Sequence, residues 1–313
     1  MQAATGSSPR RRKAFPIHIL VFLVPAASVY TLFMVYPLID SLRLSLFSTS
    51  QGSEVFVGLG NYVTLLTDEL WSPRFWGALR NNVVFFIVHM LVQNPIGLLL
   101  AALLSSRRLT GRGAYRTIYF LPTMLSVVLV GFIWQLILSP LWGISKGFLE
   151  FFGLGGLFRP WLGLESSALI VLSLISVWQF IGIPMMLFYA SLISIPDELI
   201  EAATVDGANQ WQIFWRIKFW LILPVIGIVE ILTFVGNFNA FDLIYVVEGA
   251  LASPNFSTDI MGTLFFRTFF GQQLQLGNPT MGATVAGMMF LIILTGVLFY
   301  MFAWQRRVTT YEL

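Results

Sequence analysis

The chain has 313 residues, of which 57% are hydrophobic and 11% are charged, and its formal net charge is +3. Soluble domains carry roughly 25% charged residues, so this chain has too few to coat a water-facing surface of its size, and lipid must cover much of it. The sequence has no cysteine, which excludes disulfides, thiolate metal sites and cysteine nucleophiles, and the small net charge gives no argument for nucleic acid as a partner.

Six apolar runs are long enough to cross a bilayer, which takes about 20 apolar residues. They cover residues 17–39, 83–104, 118–138, 167–193, 221–247 and 281–304. This pattern predicts an all-α membrane protein with six transmembrane helices. We expect a single transmembrane domain over residues 15–313, preceded by a disordered tail at 1–14.

The first run follows the basic sequence RRRK at 10–13, as a signal peptide would. The apolar region of a cleaved signal is usually about 7–15 residues long. This run continues through Tyr36-Pro37 to Ile39. The sequence therefore predicts an uncleaved span.

Lysine and arginine are distributed unequally between the two sides of the predicted spans. Twelve lie on one side, namely Arg10, Arg11, Arg12, Lys13, Arg107, Arg108, Arg112, Arg116, Arg216, Lys218, Arg306 and Arg307. Six lie on the other side, namely Arg43, Arg74, Arg80, Lys146, Arg159 and Arg267. Because the cytoplasmic side carries the basic excess, both termini are predicted to be cytoplasmic, as an even number of spans requires.

Three long loops lie on the opposite side, at 40–82, 139–166 and 248–280. Their glycines, prolines and aromatic residues predict short interfacial helices and turns. Each loop is either a plain connector or a surface for a partner outside the cell.

The two histidines, His18 and His89, lie in or beside apolar runs, where each is either a proton carrier or an ordinary buried side chain.

A polar stretch separates the fourth and fifth runs. Pro196 suits the first position of a helix, and the acidic residues Asp197, Glu198 and Glu201 suit the opening turns because the helix dipole favours negative charge there. Asp206-Gly207 predicts a turn, since glycine adopts positive φ without strain.

A second short helix is predicted after that turn, over residues 208–217, with Trp211, Phe214 and Trp215 on its surface. The result is a helix–turn–helix knob on the cytoplasmic face. From the residues alone, two interpretations are open. The knob is either a docking element for a soluble partner or a hairpin that lies on the lipid headgroups.

Polar side chains also occur within the apolar runs, where they usually face protein or water. In a continuous helix over the fifth run, Glu230, Phe234, Asn237 and Phe241 share one face while Asn239 points nearly opposite. Runs two to four add Gln93, Asn94, Trp134, Gln135, Trp178 and Gln179.

Amides and carboxylates can hydrogen-bond sugar hydroxyls, and aromatic rings can stack on a sugar ring. The alternative is that these side chains join helices to one another. Lysine and arginine are absent from all six runs, which favours a neutral solute unless a partner supplies the charge.

Motifs for chemistry are absent from the sequence. It contains no G-x-x-x-x-G-K-[ST], H-E-x-x-H or G-x-S-x-G, so it has neither a phosphate-binding loop nor these hydrolase signatures. A membrane enzyme would need a nucleophile–base pair or a metal cluster, and we find neither pattern. An ion-coupled secondary carrier stays open, with Glu230 or Asp242 carrying a proton.

The stretch EAATVDGANQWQIFWRI at 201–217 resembles the EAA signature of permease subunits of bacterial ABC importers, with Glu201, Ala202, Ala203 and Gly207 matching. Pro224 also matches, whereas Phe219 and Trp220 depart from the pattern. FVGLGNY at 56–62, YRTIYFLP at 115–122 and NFNAFDLIY at 237–245 resemble the carbohydrate branch. The chain thus looks like the larger permease subunit of maltose- or glycerol-phosphate-type systems.

This resemblance implies the type I ABC importer transmembrane-domain fold and a position in the bacterial cytoplasmic membrane. It implies a second permease subunit, two ATPase subunits that hold the ATP and magnesium, and an extracytoplasmic solute-binding protein that delivers a sugar. This chain would then be non-catalytic and hold no metal or cofactor of its own.

The resemblance also assigns roles to residues. The coupling loop, residues 194–220, would dock on the ATPase through Glu201, Ala202, Ala203, Asp206 and Gly207. The residues expected to contact substrate are Asn237, Gln179, Asp242, Gln135, Trp178 and Asn239. Ala240 departs from the maltose-type sequence Asn-Phe-Asn-Asn, so the sugar need not be the same.

Overall fold

The computed structural model describes residues 17–50, 53–106, 109–272 and 275–305. The predicted tail at 1–14 and the basic residues at 10–13, 107–108 and 306–307 lie outside the described residues. The chain divides into two compact units, Met1–Arg43 and Leu44–Leu313.

In the first unit, helix α1 (Ile17–Tyr30) continues through a π turn, Thr31–Val35, into α2 (Tyr36–Leu44). The helix therefore passes without a break through Tyr36-Pro37, as the length of the first apolar run predicts.

The second unit begins with a hairpin, β1 (Phe47–Ser50) paired antiparallel with β2 (Ser53–Phe56), followed by α3 (Gly60–Thr67). The Nδ2 of Asn61 donates to the carbonyl oxygens of Ser45 and Phe47, at 2.9 and 2.7 Å. Asn61, within the stretch 56–62 singled out by its sequence, thus ties the start of α3 to the first residues of this unit.

The second predicted span is longer than its apolar run. Helix α4 (Trp71–Val88) continues through a π turn, His89–Gln93, into α5 (Asn94–Leu104), and the whole rod has 34 residues. The prediction that it begins at residue 83 is wrong by about three turns. Its first turns are polar in composition, but Phe75 and Ala78 are buried against α3 and the last span.

The third predicted span is bent. Helix α6 (Arg112–Phe120) leads through a 3₁₀ turn, Leu121–Met124, into α7 (Val127–Leu138), and the two arms meet at 97°. A continuous helix over 118–138 is therefore wrong, because Pro122 and the extended backbone at Leu125 and Ser126 interrupt it. Helix α8 (Ile144–Phe151) follows α7, with short 3₁₀ turns after it.

The fourth span, α9 (Ala168–Phe180) and α10 (Gly182–Ile193), agrees with the predicted run and is interrupted only at Ile181. The coupling loop then contains α11 (Asp197–Val205), α12 (Gln210–Ile213), a π turn over Phe214–Lys218 and the short α13 (Phe219–Leu221).

The fifth run forms two helices, α14 (Leu223–Phe238) and α15 (Asp242–Glu248), with a break over residues 239–241. The expectation of one helix face shared by Glu230 and Phe241 is therefore wrong, since the break reorients everything after Phe238. Helix α16 (Met261–Phe270) packs on α4 and on α17 (Pro279–Phe299), whose π turn Tyr300–Gln305 completes the last predicted span.

Three described helices are long and apolar enough to cross a membrane by themselves, and the number rises to seven if each of four bent pairs counts as one crossing. Taking α9 and α10 together as one crossing gives the six that the sequence predicts. Buried side chains of the second unit form three apolar clusters, around α7, α9 and α15, around α5 and α10, and around α3, α4, α16 and α17.

Candidate functional site

A cavity of about 460 Å³ lies in the second unit, beside the break in the fifth span. Five elements line it. These are the α4–α5 rod, the first turn of α7, α9 with α10, the second half of α14, and the start of α15. The cavity is therefore lined by residues from most of the predicted spans of this unit.

The break itself presents polar groups to the cavity. The backbone N–H of Asn239 and its Nδ2 both donate to the carbonyl oxygen of Val235, at 3.1 and 3.0 Å, which ends α14. Asp242 then starts α15. Asn237, Asn239 and Asp242 all line the cavity, so the break gathers three of the six residues predicted to contact substrate.

Two buried amide oxygens on the cavity lining have no hydrogen-bond partner among the described residues. The Nδ2 of Asn237 donates to the carbonyl oxygen of Thr233 at 2.7 Å, which leaves its Oδ1 without a partner. The Oε1 of Gln93 is also buried without a hydrogen-bond partner among these residues. Since a buried polar atom is normally paired, each oxygen would accept a hydrogen bond from a donor if movement of the surrounding helices opened it to the cavity.

His89 and Ser176 form a second polar pair on the lining. The Nδ1 of His89 lies 2.8 Å from the carbonyl oxygen of Phe85, and its Nε2 lies 3.0 Å from Oγ of Ser176. Because a carbonyl oxygen only accepts, Nδ1 carries a hydrogen. Sequence reasoning left His89 open and passed over Ser176, since one histidine and one serine in apolar helices carry no pattern.

Phenylalanine supplies the aromatic surface of the cavity, in Phe85, Phe180 and Phe241. Among the residues that the structure describes, the lining has one carboxylate, Asp242, and no lysine or arginine. Glu230, the other candidate proton carrier, is half-buried on α14 and is not among the lining residues. The cavity thus combines amides, a carboxylate, a hydroxyl and aromatic rings with an otherwise apolar lining.

The other three predicted contact residues lie outside the lining and join helices. The Nε2 of Gln135 donates to the carbonyl oxygen of Val247 at 2.7 Å, tying α7 to α15. The Nε2 of Gln179 donates to the carbonyl oxygen of Leu125 at 3.2 Å, which holds the bend before α7. Trp178 meets Trp134 edge to face at 5.6 Å.

One buried side chain connects the cavity to the segment beyond α15. Asn82 is fully buried, its Nδ2 donates to the carbonyl oxygen of Asn237 at 2.9 Å, and its Oδ1 accepts from the N–H of Met261 at 2.7 Å. The neighbouring Asn81 donates to the carbonyl oxygens of Ser257 and Asp259. The asparagine pair on α4 therefore fixes both the end of α14 and the start of α16.

The helices of the coupling loop begin and end with local capping hydrogen bonds. Pro196 is the N-cap of α11, so the helix begins at Asp197 and not at Pro196 as predicted. After α11, Gly207 has φ +83°, its N–H bonds the carbonyl oxygen of Thr204, and the N–H of Ala208 bonds that of Ala203, which is a Schellman ending. Asn209 and Gln212 form a reciprocal capping box at the start of α12.

The predicted docking residues lie on the outer side of this loop. Glu201, Ala202, Asp206 and Gly207 are exposed, and Ala203 is half-buried. The inner side is apolar. Its buried residues Ile195 and Ile213 face the bundle, and Ile195 packs in the cluster around α5 and α10.

Burial also lowers the pKa of Lys218 at the end of the loop, against the opposing effect of the Asp197 carboxylate. The loop is thus seated on the bundle by one face and presents the other outward.

Comparison with known proteins agrees with this architecture. Residues 93–309 match the family described as binding-protein-dependent transport system inner membrane component. The probable ABC transporter permease protein YurN of Bacillus subtilis is 34% identical over 268 residues, covering 85% of this chain and 89% of that protein. The lactose transport system permease protein LacF of Rhizobium radiobacter is 30% identical over 267 residues, covering 85% and 88%.

A solved structure has the same fold. It is the crystal structure of a bacterial ABC transporter involved in the import of the acidic polysaccharide alginate, and one of its chains superposes with a TM-score of 0.77 at 24% identity. The match covers 94% of this chain and 96% of that one. At this identity the likeness concerns the fold, which is that of ABC importer transmembrane domains.

Proposed function

This chain belongs to the family of inner-membrane components of binding-protein-dependent transport systems, and on that premise we propose that it is the permease subunit of an ATP-driven sugar importer. It carries a sugar, a small oligosaccharide or a derivative across the bacterial cytoplasmic membrane. Both termini face the cytoplasm, in keeping with the twelve basic residues on that side against six on the other.

The observation that carries the sugar assignment is the cavity at the break after α14. Two buried amide oxygens there, on Asn237 and Gln93, lack partners among the described residues and can accept hydrogen bonds from sugar hydroxyls once the lining opens to them. Phe180 and Phe241 supply rings for the apolar face of a sugar. A relative that covers most of this chain is named for lactose transport.

Contacts with substrate are assigned to Asn237, Asn239 and Asp242, which share the cavity. The remaining predicted contacts, Gln135, Gln179 and Trp178, act instead through the helices that they join. Gln179 still has a buried Oε1 without a partner among the described residues, so a rearrangement of the bend before α7 would make it available.

Energy enters through the coupling loop. Its exposed residues Glu201, Ala202, Asp206 and Gly207 form the docking surface for a separate ATPase subunit, with Ala203 at the edge. ATP and magnesium belong to that ATPase, so this chain is non-catalytic. The assembly has a second permease subunit, two ATPase subunits and an extracytoplasmic solute-binding protein.

Transport then proceeds by alternating access between an inward-open and an outward-open state. Nucleotide binding favours one state only because the docked coupling loops interact differently with the ATPases in the two states. The break after α14 lies where such a change would act on the cavity, since Asn237 and Asp242 belong to different helices on either side of it.

The test is uptake of radiolabelled oligosaccharide by vesicles that contain the complex copurified from native membranes. We expect uptake that requires enclosed ATP and external binding protein and that persists when the proton gradient is collapsed. Uptake without nucleotide that collapses with the proton gradient would instead identify a secondary carrier, with Asp242 or Glu230 as the proton site.

A further inference from the structure

The segment after α7 exposes an unusual amount of apolar surface. Leu141 is 85% exposed, Trp142 is 82% exposed and Phe151 is 84% exposed. Within α8, Ile144, Phe148 and Phe151 recur at intervals of three or four residues and so share one face of the helix. Apolar exposure continues through Phe152, Leu154 and Leu157.

The other sides of α8 are different. Lys146 and Glu150 are exposed and point away from the aromatic face, and Leu149 is half-buried. Phe152 meets Phe148 and Phe151 edge to face, with ring centroids 5.0 and 5.2 Å apart. The segment over residues 141–157 is therefore a short amphipathic helix with a compact aromatic cluster on one side.

The position of this segment is fixed by the end of a membrane helix. Helix α7 ends at Leu138, and Oγ of Ser139 accepts hydrogen bonds from the N–H groups of Leu141 and Trp142. The N–H of Gly143 bonds the carbonyl oxygen of Ser139 at 2.9 Å. With the turn held this tightly, α8 starts close to the depth at which α7 leaves the hydrocarbon.

Its side of the membrane follows from the chain path. Residues 139–166 join the end of α7 to the start of α9, and α9 with α10 leads directly into the coupling loop. The segment is thus at the opposite end of this span from the coupling loop.

We propose that residues 141–157 form an interfacial anchor that lies flat in the bilayer surface opposite the coupling loop, with its partner the boundary between lipid headgroups and acyl chains. Aromatic side chains concentrate at this depth, and an amphipathic helix places its apolar face there while its charged side faces water. Lys146 reaches outward in the manner of other interfacial lysines. The proposal depends on membrane embedding alone and not on the transported solute.

Lipid suits this surface better than a soluble partner does. A solute-binding protein that dissociates in every cycle would return Trp142, Phe148 and Phe151 to water each time, and exposed apolar patches of this kind are avoided on water-facing surfaces. The outward side of α7 is also apolar, through Phe132 and Leu136, so the apolar face continues from the span into the segment.

The absence of cysteine makes a direct test practical, because an introduced cysteine is the one thiol of this chain, and the complex with the unsubstituted chain measures any labelling of its partners. Phe148→Cys and Lys146→Cys, two residues apart on opposite sides of α8, each receive an NBD fluorophore in the copurified complex in nanodiscs. We expect the label at 148 to be quenched strongly by lipids with a spin label near the glycerol end of the acyl chain and only weakly by iodide. The label at 146 should show the reverse.

Equal quenching of both labels by iodide would overturn the proposal, because the segment would then lie in water. A label at 148 protected from lipid and iodide alike would also overturn it, since a companion subunit would then cover the face. Phe151→Cys is the second variant should Phe148→Cys fold poorly, and the same outcomes apply to it. Normal sugar uptake alongside water exposure at both sites would contradict the anchor and leave the transport function standing.

Discussion

The two ends of this protein use polar groups in opposite ways. At one end, the distal segment, residues 249–270, directs them inward. Arg267 is 2% exposed, its guanidinium bonds both carboxylate oxygens of Asp259 and the carbonyl oxygen of Ala250, and it lies over the ring of Phe256. At the other end, the coupling loop makes its polar bonds between near neighbours and presents its outer face to solvent.

This difference shows how the shape of each end is maintained. The distal segment holds three non-glycine residues at positive φ, Ala252, Asn255 and Phe256, a conformation that persists only where the surroundings enforce it. Its buried ion pair and the asparagine pair on α4 supply that enforcement. The coupling loop needs no such support, because its caps maintain its shape while leaving Val205, 87% exposed, and Trp211, 71% exposed, available to a partner.

The largest effect is expected from Gly207→Pro. Proline fixes φ near −65° and has no N–H, so it is incompatible with φ +83° and with the bond to Thr204. We predict that ATP-driven uptake is abolished, whereas membrane insertion and the unfolding temperature of the bundle are unchanged. Gly207→Ala, which keeps the N–H, is the milder control. Normal ATP-driven uptake by the proline variant would count against the docking role.

Arg267→Met should cause the largest loss of fold stability. It leaves the Asp259 carboxylate buried without its cation, and breaking a buried pair on one side costs about 3–5 kcal/mol. Thermal unfolding of the purified complex and its yield in membranes would measure the loss. Arg159→Met, on the same predicted side of the membrane but exposed, is the matched control. Equal stability of the two variants would show that the distal segment is not held by this ion pair.

Asn82→Ala tests the connection between the distal segment and the cavity. It removes the partner of the Met261 N–H and one partner of the Asn237 carbonyl oxygen, and an unsatisfied buried group costs about 1–3 kcal/mol. We expect a lower unfolding temperature together with weaker sugar uptake. Gln210→Ala, an exposed change in the coupling loop, should leave the unfolding temperature unchanged. A lower unfolding temperature with unaltered sugar uptake would limit Asn82 to a structural role.

Asn237→Ala should have the smallest effect of the four, a roughly tenfold weaker half-saturation for sugar uptake, as expected for one lost hydrogen bond. Association with the ATPase should be unchanged, because Asn237 is buried in the bundle and remote in sequence from the docking surface. Uptake kinetics identical to those of the unaltered protein would remove Asn237 from the substrate site.

Sequence reasoning predicted the helices well where hydropathy alone decides, as in the fourth and sixth spans. It failed where tertiary contacts decide. The extension of α4 back to Trp71 was missed because residues such as Arg74 and Asn81 resemble loop, although Phe75 and Ala78 are buried. The sequence predicts Arg267 as a basic residue outside the membrane, and nothing in it pairs this residue with Asp259.

The cavity was predicted only in part. Asn237, Asn239 and Asp242, which line it, are predicted as substrate contacts because they share one apolar run and a family resemblance. The break that brings them together was not found, since the run 237–245 is apolar enough to continue as a helix. Gln93, His89 and Ser176 reach the cavity from other helices, and their convergence depends on packing that one sequence does not display.

The most direct measurement of the central claim is photocrosslinking from the outer face of the coupling loop. Val205→Cys carries a benzophenone in the copurified complex reconstituted in lipid, and Phe151→Cys carries the same group as the control expected to label lipid. Our account predicts that position 205 crosslinks to an ATPase subunit, with a yield that changes on adding nucleotide. Crosslinking of position 205 to phospholipid instead would show that the loop lies on the headgroups, and the ATPase-docking account would be wrong.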